Sequence, residues 1–480
     1  VQSDRPLLNH VLERSLRDLR VLRSELHGHT FFAAGVPWYV TLFGRDSLIS
    51  AYQTLAYKPE VAEHTLRLLA EYQGDKVDEW RDEEPGKIMH ELRVGELART
   101  DEIPQTPYYG AIDAAPLFLI LLARHAAWTG RLALFHKLRE NVERALEWMA
   151  KYGDPTGRGY LAYQVKSKKG LGNQGWKDSG DAIVNADGSL AKPPIALTEV
   201  QGYAYRAQLG VAELYRRAGD AGKADQLRRE ADDLRRRFNR DFWLEDKGVY
   251  ALALQDGGKP CAVVASNAGQ VLWSGIADAD KARRTKDRLL AEDVHSGWGI
   301  RTLSAREKRY NPIGYHLGTV WPHDNSLILA GLRAYQFDEA AARVFSGILQ
   351  AATHFHTYRL PEVFAGFRQE GLTVPVHYPV ACHPQAWAAG SVPLMVESLL
   401  GLTPEAFDGR LRIVRPVLPE GVSELEVRRL RVGDARVHLR FRRGAGGKAE
   451  VDVLQKEGDL EVTMEATGNS ADTPHEVERG

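Results

Sequence analysis

From residue 1 to about residue 402 the sequence runs almost entirely in helical periods, and beyond that point it does not. About twelve helices are expected, beginning near residues 6, 46, 60, 113, 131, 198, 220, 265, 278, 325, 338 and 384. Two kinds of helix are distinguishable. In the segment LRREADDLRRRF, Leu227, Ala231, Leu234 and Phe238 share one helical face and charges fill the other, which describes an outer helix with a single buried stripe. Leu117 to Ala123 is apolar all round and fits an inner helix buried on most sides. Asp113 and Thr198 stand where N-caps are expected. Many neighbouring helices are joined by short connections, as antiparallel helical hairpins require. No internal sequence repeat is visible, so any repetition is structural.

Five connections are long: residues 26–45, 75–112, 153–197, 292–323 and 357–383. They are rich in Gly, Pro and aromatic residues and carry half of the Trp and half of the His. Long ordered loops inside a compact domain are usually functional. After Leu402 the period falls to two. Val437, Leu439 and Phe441 alternate with Arg436, His438, Arg440 and Arg442, a turn is expected at Gly444 to Gly447, and Val451 and Val453 continue the alternation. Leu411/Ile413, Leu425/Val427 and Leu460/Val462/Met464 follow the same pattern. The expected organisation is a mainly α domain over residues 1–402, a small antiparallel β module over 403–466, and a disordered polar tail over 467–480.

Composition bears on partners. Lys plus Arg number 63 and Asp plus Glu 64, and this balance argues against a nucleic-acid or membrane-surface binder, which needs a basic excess. The longest strongly apolar run, near Ala114 to Ala123, is about half a membrane span. The opening VQSDRPLLNH has no signal-peptide core. Cys261 and Cys382 fit neither a disulfide framework nor a zinc pattern, so a reducing, cytoplasmic setting is expected.

The chemistry sits in the long loops. NQGWKDSGDAI sets two carboxylates, Asp178 and Asp181, beside Trp176. A carboxyl group partly desolvated against an aromatic can stay protonated near neutral pH and serve as a general acid. The alternative is a polar turn whose Asp residues satisfy backbone N–H groups. YRLPEVFAGF places Glu362 after a proline in an aromatic loop, where it could activate water or simply be a surface Glu. FGRDSLIS puts Arg45 and Asp46 at a helix start, as a clamp on sugar hydroxyls or with Asp46 as an N-cap. YHLGTVWPHDNSLI adds Trp321, His323 and Asp324, the last again a candidate cap. No HxxH or HxxxH partner accompanies His323, so no metal is expected. HPQAWAAGS adds Gln385 and Trp387 at the start of the last helix. Each segment lies where a loop enters a predicted helix. In a helical barrel such junctions share one funnel, where Trp and Tyr can face the C–H surface of a pyranose and polar groups its hydroxyls.

The segments AGVPWYVTLFGRDSLIS, IPQTPYYGAIDAAPLF, NQGWKDSGDAI, GYHLGTVWPHDNSLI, RLPEVF and HPQAWAAGS, in this order over about residues 30–400, resemble the amylo-α-1,6-glucosidase part of glycogen debranching enzymes and their bacterial relatives. The resemblance implies a six-hairpin (α/α)6 barrel and an inverting glycoside hydrolase that needs no cofactor. Its acid would be Asp178 in a Trp-x-Asp segment and its base Glu362 in a Leu-Pro-Glu segment. Asp181 is the rival acid, because some six-hairpin enzymes carry theirs after a Ser-Gly pair. Trp38, Tyr39, Arg45, Asp46, Tyr109, Trp176, Lys177, Asp181, Trp321, His323, Asp324, Gln385 and Trp387 become candidate substrate contacts. The substrate implied is glycogen or a related α-glucan. A small α-glycoside such as trehalose or glucosylglycerate, and a glucan-binding protein without catalysis, are the alternatives. Inversion calls for carboxyl groups roughly 6.5–9.5 Å apart, to leave room for water. Nothing in the chain corresponds to the transferase domain of full debranching enzymes.

Overall fold

The structure, a computed structural model, describes residues 1–371, 373–444 and 449–465. The expected tail at 467–480, and all of the expected turn except Gly444, lie outside the described residues.

Twelve helices of eight residues or more are present among the described residues: α1 (Pro6–Leu22), α2 (Gly44–Gln53), α3 (Pro59–Glu71), α4 (Ala114–Thr129), α5 (Arg139–Lys151), α6 (Thr198–Arg217), α7 (Ala221–Asp241), α8 (Asn267–Ser274), α9 (Ala279–Leu289), α10 (Pro322–Ala334), α11 (Asp338–Ala352) and α12 (Ala386–Leu399). The even-numbered six pack each on the next, α2 on α4, α6, α8 and α10 in turn, and α12 closes the cycle by packing on both α10 and α2. The odd-numbered helices lie against this ring: α3 on α2 and α4, α5 on α4, α7 on α6, α9 on α8, α11 on α10, and α1 on α12.

Burial follows the sequence pattern. Every residue of α2 and α8 is buried, and all of α12 except Ser398. On α7 the buried residues form a stripe that includes Leu227, Ala231, Leu234 and Phe238. Inner helices approach closely where a side chain is missing: a Cβ on Gly331 of α10 would overlap the Trp273 backbone nitrogen of α8. The ring is pinned by polar contacts as well. Gln53 of α2 donates to the Trp387 carbonyl oxygen of α12 at 3.0 Å and to Ser326 Oγ of α10 at 3.2 Å.

Two caps differ from expectation. Thr198 is the first residue of α6 rather than its cap, and Asp113 precedes α4 without a side-chain capping bond. The predicted helix near 131 is a short turn, Ala133–Lys137, followed by α5.

The C-terminal strands are β2 (Leu402–Glu405), β3 (Arg410–Val414), β4 (Glu424–Val432), β5 (Ala435–Arg443), β6 (Ala449–Glu457) and β7 (Glu461–Glu465), and a two-residue strand at the other end of the chain is β1 (Gln2–Ser3). They form two sheets, ordered β1-β4-β5-β6 and β7-β3-β2. Val437, Leu439 and Phe441 are buried as their alternation requires. The expectation of a wholly antiparallel module is corrected in one place: β3 and β7 run parallel, with Leu411 opposite Val462 and Ile413 opposite Met464. β4, β5 and β6, all in the other sheet, lie in the long crossover that parallel neighbours need. Gln2–Ser3 joins the first sheet by pairing with Leu425 and Glu426, outside the expected 403–466 boundary. No helix among the described residues is long and apolar enough to cross a membrane.

Candidate active site

Acidic residues gather where inner helices begin. Asp46 lies in the first turn of α2, Glu199 in that of α6 and Asp324 in that of α10, while Asp113 immediately precedes α4. The unpaired N–H groups and positive dipole end of a helix stabilise such carboxylates. Asp46 and Asp324 are third helical residues, not N-caps; those positions belong to Phe43 and Trp321. The Asp46 side chain instead accepts from Gln385 Nε2 at 3.2 Å. It thereby joins the start of α2 to the start of α12.

Around this ring entrance the two candidate catalytic carboxylates converge from different loops. Asp178 keeps 30% side-chain exposure and stands 3.6 Å from Arg45 Nη1. The Arg45 Nε donates to Asp113 Oδ2 at 2.6 Å, which fixes the guanidinium beside Asp178. Burial at the bottom of the loops pushes the Asp178 carboxyl up to about 6 against the pull of Arg45, with Asp113 and Glu362 adding to the rise. Glu362 is only 2% exposed. Its Oε1 accepts from the Tyr315 hydroxyl at 2.6 Å and its Oε2 from the Cys382 backbone N–H at 2.9 Å. Desolvation raises the Glu362 carboxyl above its ordinary range, and these two donors hold the rise in check. Asp46, enclosed beside both, is pushed by burial up to about 7, with Arg45 opposing and Asp178 and Glu362 reinforcing. Tyr39 feels both carboxylates and is pushed up to about 12 by burial first, then by Glu362 and Asp178; it also hydrogen-bonds Tyr315.

Below these groups lies an aromatic floor. His323 stacks flat on Trp387, with ring centroids 3.7 Å apart and planes at 5°. Trp176 stands edge-on to His323 at 4.9 Å and to Trp321 at 5.7 Å, and His316 stacks on Trp321 at 5.0 Å. Several buried polar atoms here have no protein partner among the described residues: Arg45 Nη2, Trp176 Nε1, Gln385 Oε1 and Trp387 Nε1. Buried polar groups are nearly always satisfied, so this set suits a ligand rich in hydroxyls. One half-buried carboxyl group beside one fully enclosed, doubly bonded carboxylate can divide the work of protonating a leaving oxygen and deprotonating a water.

The profile of the mannosylglycerate hydrolase MGH1-like glycoside hydrolase domain matches residues 39–373, well over half of the chain and including both carboxylates. The chain belongs to this family. The family is one of glycoside hydrolase domains; the finer expectation of a glycogen-debranching enzyme is not carried by this match. No curated protein sequence is significantly similar to it. Among solved structures, a GH78 family rhamnosidase of a Bacillus species aligns with 15% identity and a TM-score of 0.65 over 96% of this chain and 42% of its own. A sialidase aligns with 13% identity and a TM-score of 0.66 over 96% of this chain and 40% of its own, so the chain spans about two fifths of either. A GH63 mannosylglycerate hydrolase of Thermus thermophilus aligns with 13% identity and a TM-score of 0.60 over 80% of this chain and 99% of its own. At such identities the likeness is one of fold.

The other expected contacts of this MGH1-like hydrolase fall into three groups. Tyr39, Arg45, Asp46, Trp176, Trp321, His323, Gln385 and Trp387 line or underlie the same entrance as the carboxylates. Trp38 and Asp181 are on its rim: Trp38 is 54% exposed with its indole N–H donated to the Val380 carbonyl oxygen at 2.9 Å, and Asp181 is exposed near Tyr378. Lys177, Asp324 and Tyr109 are committed elsewhere. Lys177 Nζ donates to the Thr302 carbonyl oxygen at 2.6 Å, Asp324 Oδ1 accepts from Gln270 at 2.5 Å, and the Tyr109 hydroxyl donates to the Tyr72 carbonyl oxygen at 2.8 Å. Of the polar atoms of these three side chains, Asp324 Oδ2 is buried without a protein partner among the described residues. Reading the sequence did not single out Tyr315, Asp113, Glu199 or His316. Tyr315 and His316 lie in a segment already under suspicion, and an aromatic hydroxyl near a base would have been the signal. In the sequence Asp113 reads only as a cap, since its pairing with Arg45 spans 68 positions.

Proposed function

We propose that the chain is an inverting α-glycosidase that removes a single sugar from the end of its substrate, with Asp178 as general acid and Glu362 as general base. The observation that carries this reading is the pairing of environments: Asp178, raised to about 6 and partly open to solvent, beside Glu362, enclosed and held by Tyr315 and Cys382. Two carboxyl groups of different surroundings at one entrance allow one to hold a proton while the other lacks it. Asp178 protonates the glycosidic oxygen as the bond to the anomeric carbon breaks. Glu362 takes a proton from the water that attacks the opposite face, and the anomeric configuration inverts. Asp178 is preferred to Asp181 because Asp181 is an exposed rim residue. In this reading the closed cycle of even-numbered helices is the inner wall of an (α/α)6 barrel, residues 1–402 are the catalytic domain, and 403–466 are an appended β module.

The substrate is a small α-glycoside. Family membership and the Thermus mannosylglycerate hydrolase support this, as does the Trp38–Val380 bond that draws two loops together at the mouth. An amylo-α-1,6-glucosidase activity on glucan ends is the second reading, favoured by the ordered segments over residues 30–400. A panel of glucosylglycerate, mannosylglycerate, trehalose, isomaltose and limit dextrin separates the two. Proton NMR of the first product is expected to show the β-anomer; an α-anomer rules the mechanism out. Asp178→Asn and Glu362→Gln are each expected to lower kcat by about 100-fold or more with the fold intact. The kcat/KM profile should be bell-shaped. Its alkaline limb should lie near pH 6, where Asp178 loses its proton, and its acid limb above 4.5, where the raised Glu362 gains one.

A further inference from the structure

Lys177 precedes the proposed acid by one residue, yet its side chain runs the other way, into the ring. It is 2% exposed, and Nζ donates to the Thr302 carbonyl oxygen at 2.6 Å and lies 5.1 Å from the Trp176 ring centre. Two carboxylates face the ammonium: Asp324 of α10 and Glu199 of α6. Behind them is a polar chain. Asp324 Oδ1 accepts from Gln270 Nε2 of α8 at 2.5 Å, and the Tyr203 hydroxyl of α6 donates to Gln270 Oε1. Asn267 of α8 lies beside Glu199 and counters the rise that burial imposes on it. Three consecutive inner helices thus supply the anionic and amide groups of one buried cluster, and the loop carrying Asp178 supplies its cation. The remaining titratable groups that face Lys177 are His316 and His323, both kept neutral by burial.

A buried charge must be matched, and removing one partner of a buried pair leaves the other uncompensated. Lys177 therefore has one place to be. Adjacent Cα atoms are about 3.8 Å apart, so whatever fixes Lys177 also fixes the start of the Asp178 side chain. A proton donor must lie within hydrogen-bond reach of the oxygen it serves.

We propose that Lys177 is a positioning residue: bonded to the Thr302 carbonyl oxygen and facing Asp324 and Glu199, it fastens the 173–183 loop to its surroundings and sets the direction from which Asp178 delivers its proton. This rests on the reading of Asp178 as general acid.

The test uses the full chain with Lys177→Met, and the charge-balanced Lys177→Met/Glu199→Gln should the single variant fail to fold. Two probes are compared: α-glucosylglycerate, and α-glucosyl fluoride, whose leaving group departs without protonation. For the glucoside, kcat is expected to fall about 100-fold, the scale of a misplacement of about 1 Å, with KM nearly unchanged. For the fluoride, turnover should fall far less, which general loss of structure cannot produce. Amide hydrogen exchange should quicken in 173–183 and stay as in the wild type elsewhere in the ring. Equal losses on both probes, wild-type kinetics, or unchanged exchange in 173–183 would overturn the proposal. If the wild type cleaves neither probe while the variant still loosens 173–183, the anchor stands and the α-glucosidase reading falls.

Discussion

Glu362 shows how a few donors set the working state of a single group. Burial alone pushes it toward the protonated form, in which it cannot act as a base. The Tyr315 hydroxyl and the Cys382 N–H each favour its ionised form. Tyr315→Phe removes one of them. A hydrogen bond to a charged group contributes about 1.5–3 kcal/mol, so the acid limb of the kcat/KM profile should move up by about one unit or more. A titration that finds the limb unmoved would show that Tyr315 does not tune the base. Sequence reading located this glutamate but not its partner, because hydrogen bonding between positions 315 and 362 is a property of the closed loops. Asp178 and Lys177 make the same point. Adjacent in sequence, they point into opposite environments, and only the loop backbone decides which of the two faces solvent.

At the scale of helices and strands, periodicity was the reliable guide. Eleven of the twelve helices begin within three residues of the expected positions, the exception being α5 at Arg139, since an apolar stripe or an all-apolar run is dictated locally. Closure of the even-numbered helices into a cycle was not legible from any one of them, because it depends on how closely neighbours approach. Gly331 marks such an approach: an added methyl group would meet the backbone of α8 at Leu272 and Trp273. Gly331→Ala is expected to destabilise the protein by about 1–3 kcal/mol through overpacking. Gly222→Ala on the outer α7, where the nearest atom to an added Cβ is 4.0 Å away, should be neutral or stabilising. Thermal melts of the two variants test this, and equal losses would refute it. The parallel pairing of β3 with β7 was missed because alternation reveals which face of a strand is buried but not its direction.

For the molecule as a whole, the cluster of carboxyl groups links pH to stability. Asp178 rises from 3.8 to about 6 and Asp46 from 3.8 to about 7 in the folded state. Raised acids bind protons more readily folded than unfolded. Their contribution is therefore full below pH 3.8 and is lost as pH climbs through about 6 and 7. Asp178→Asn should consequently melt above the wild type at pH 8, with the difference vanishing near pH 4. A difference that does not change with pH would show that the folded site does not disfavour the Asp178 charge.

The ring is shut by its first and last members, and a hydrogen bond from Gln385 to Asp46 spans 339 positions. During synthesis, then, most of the inner wall can be made before its final stave exists. Glu362 and the α12 that seals the wall leave the ribosome close together, after the rest of the wall. A chain interrupted before residue 386 carries a proton donor without a sealed core, so catalytic competence and a finished fold should arrive in the same step.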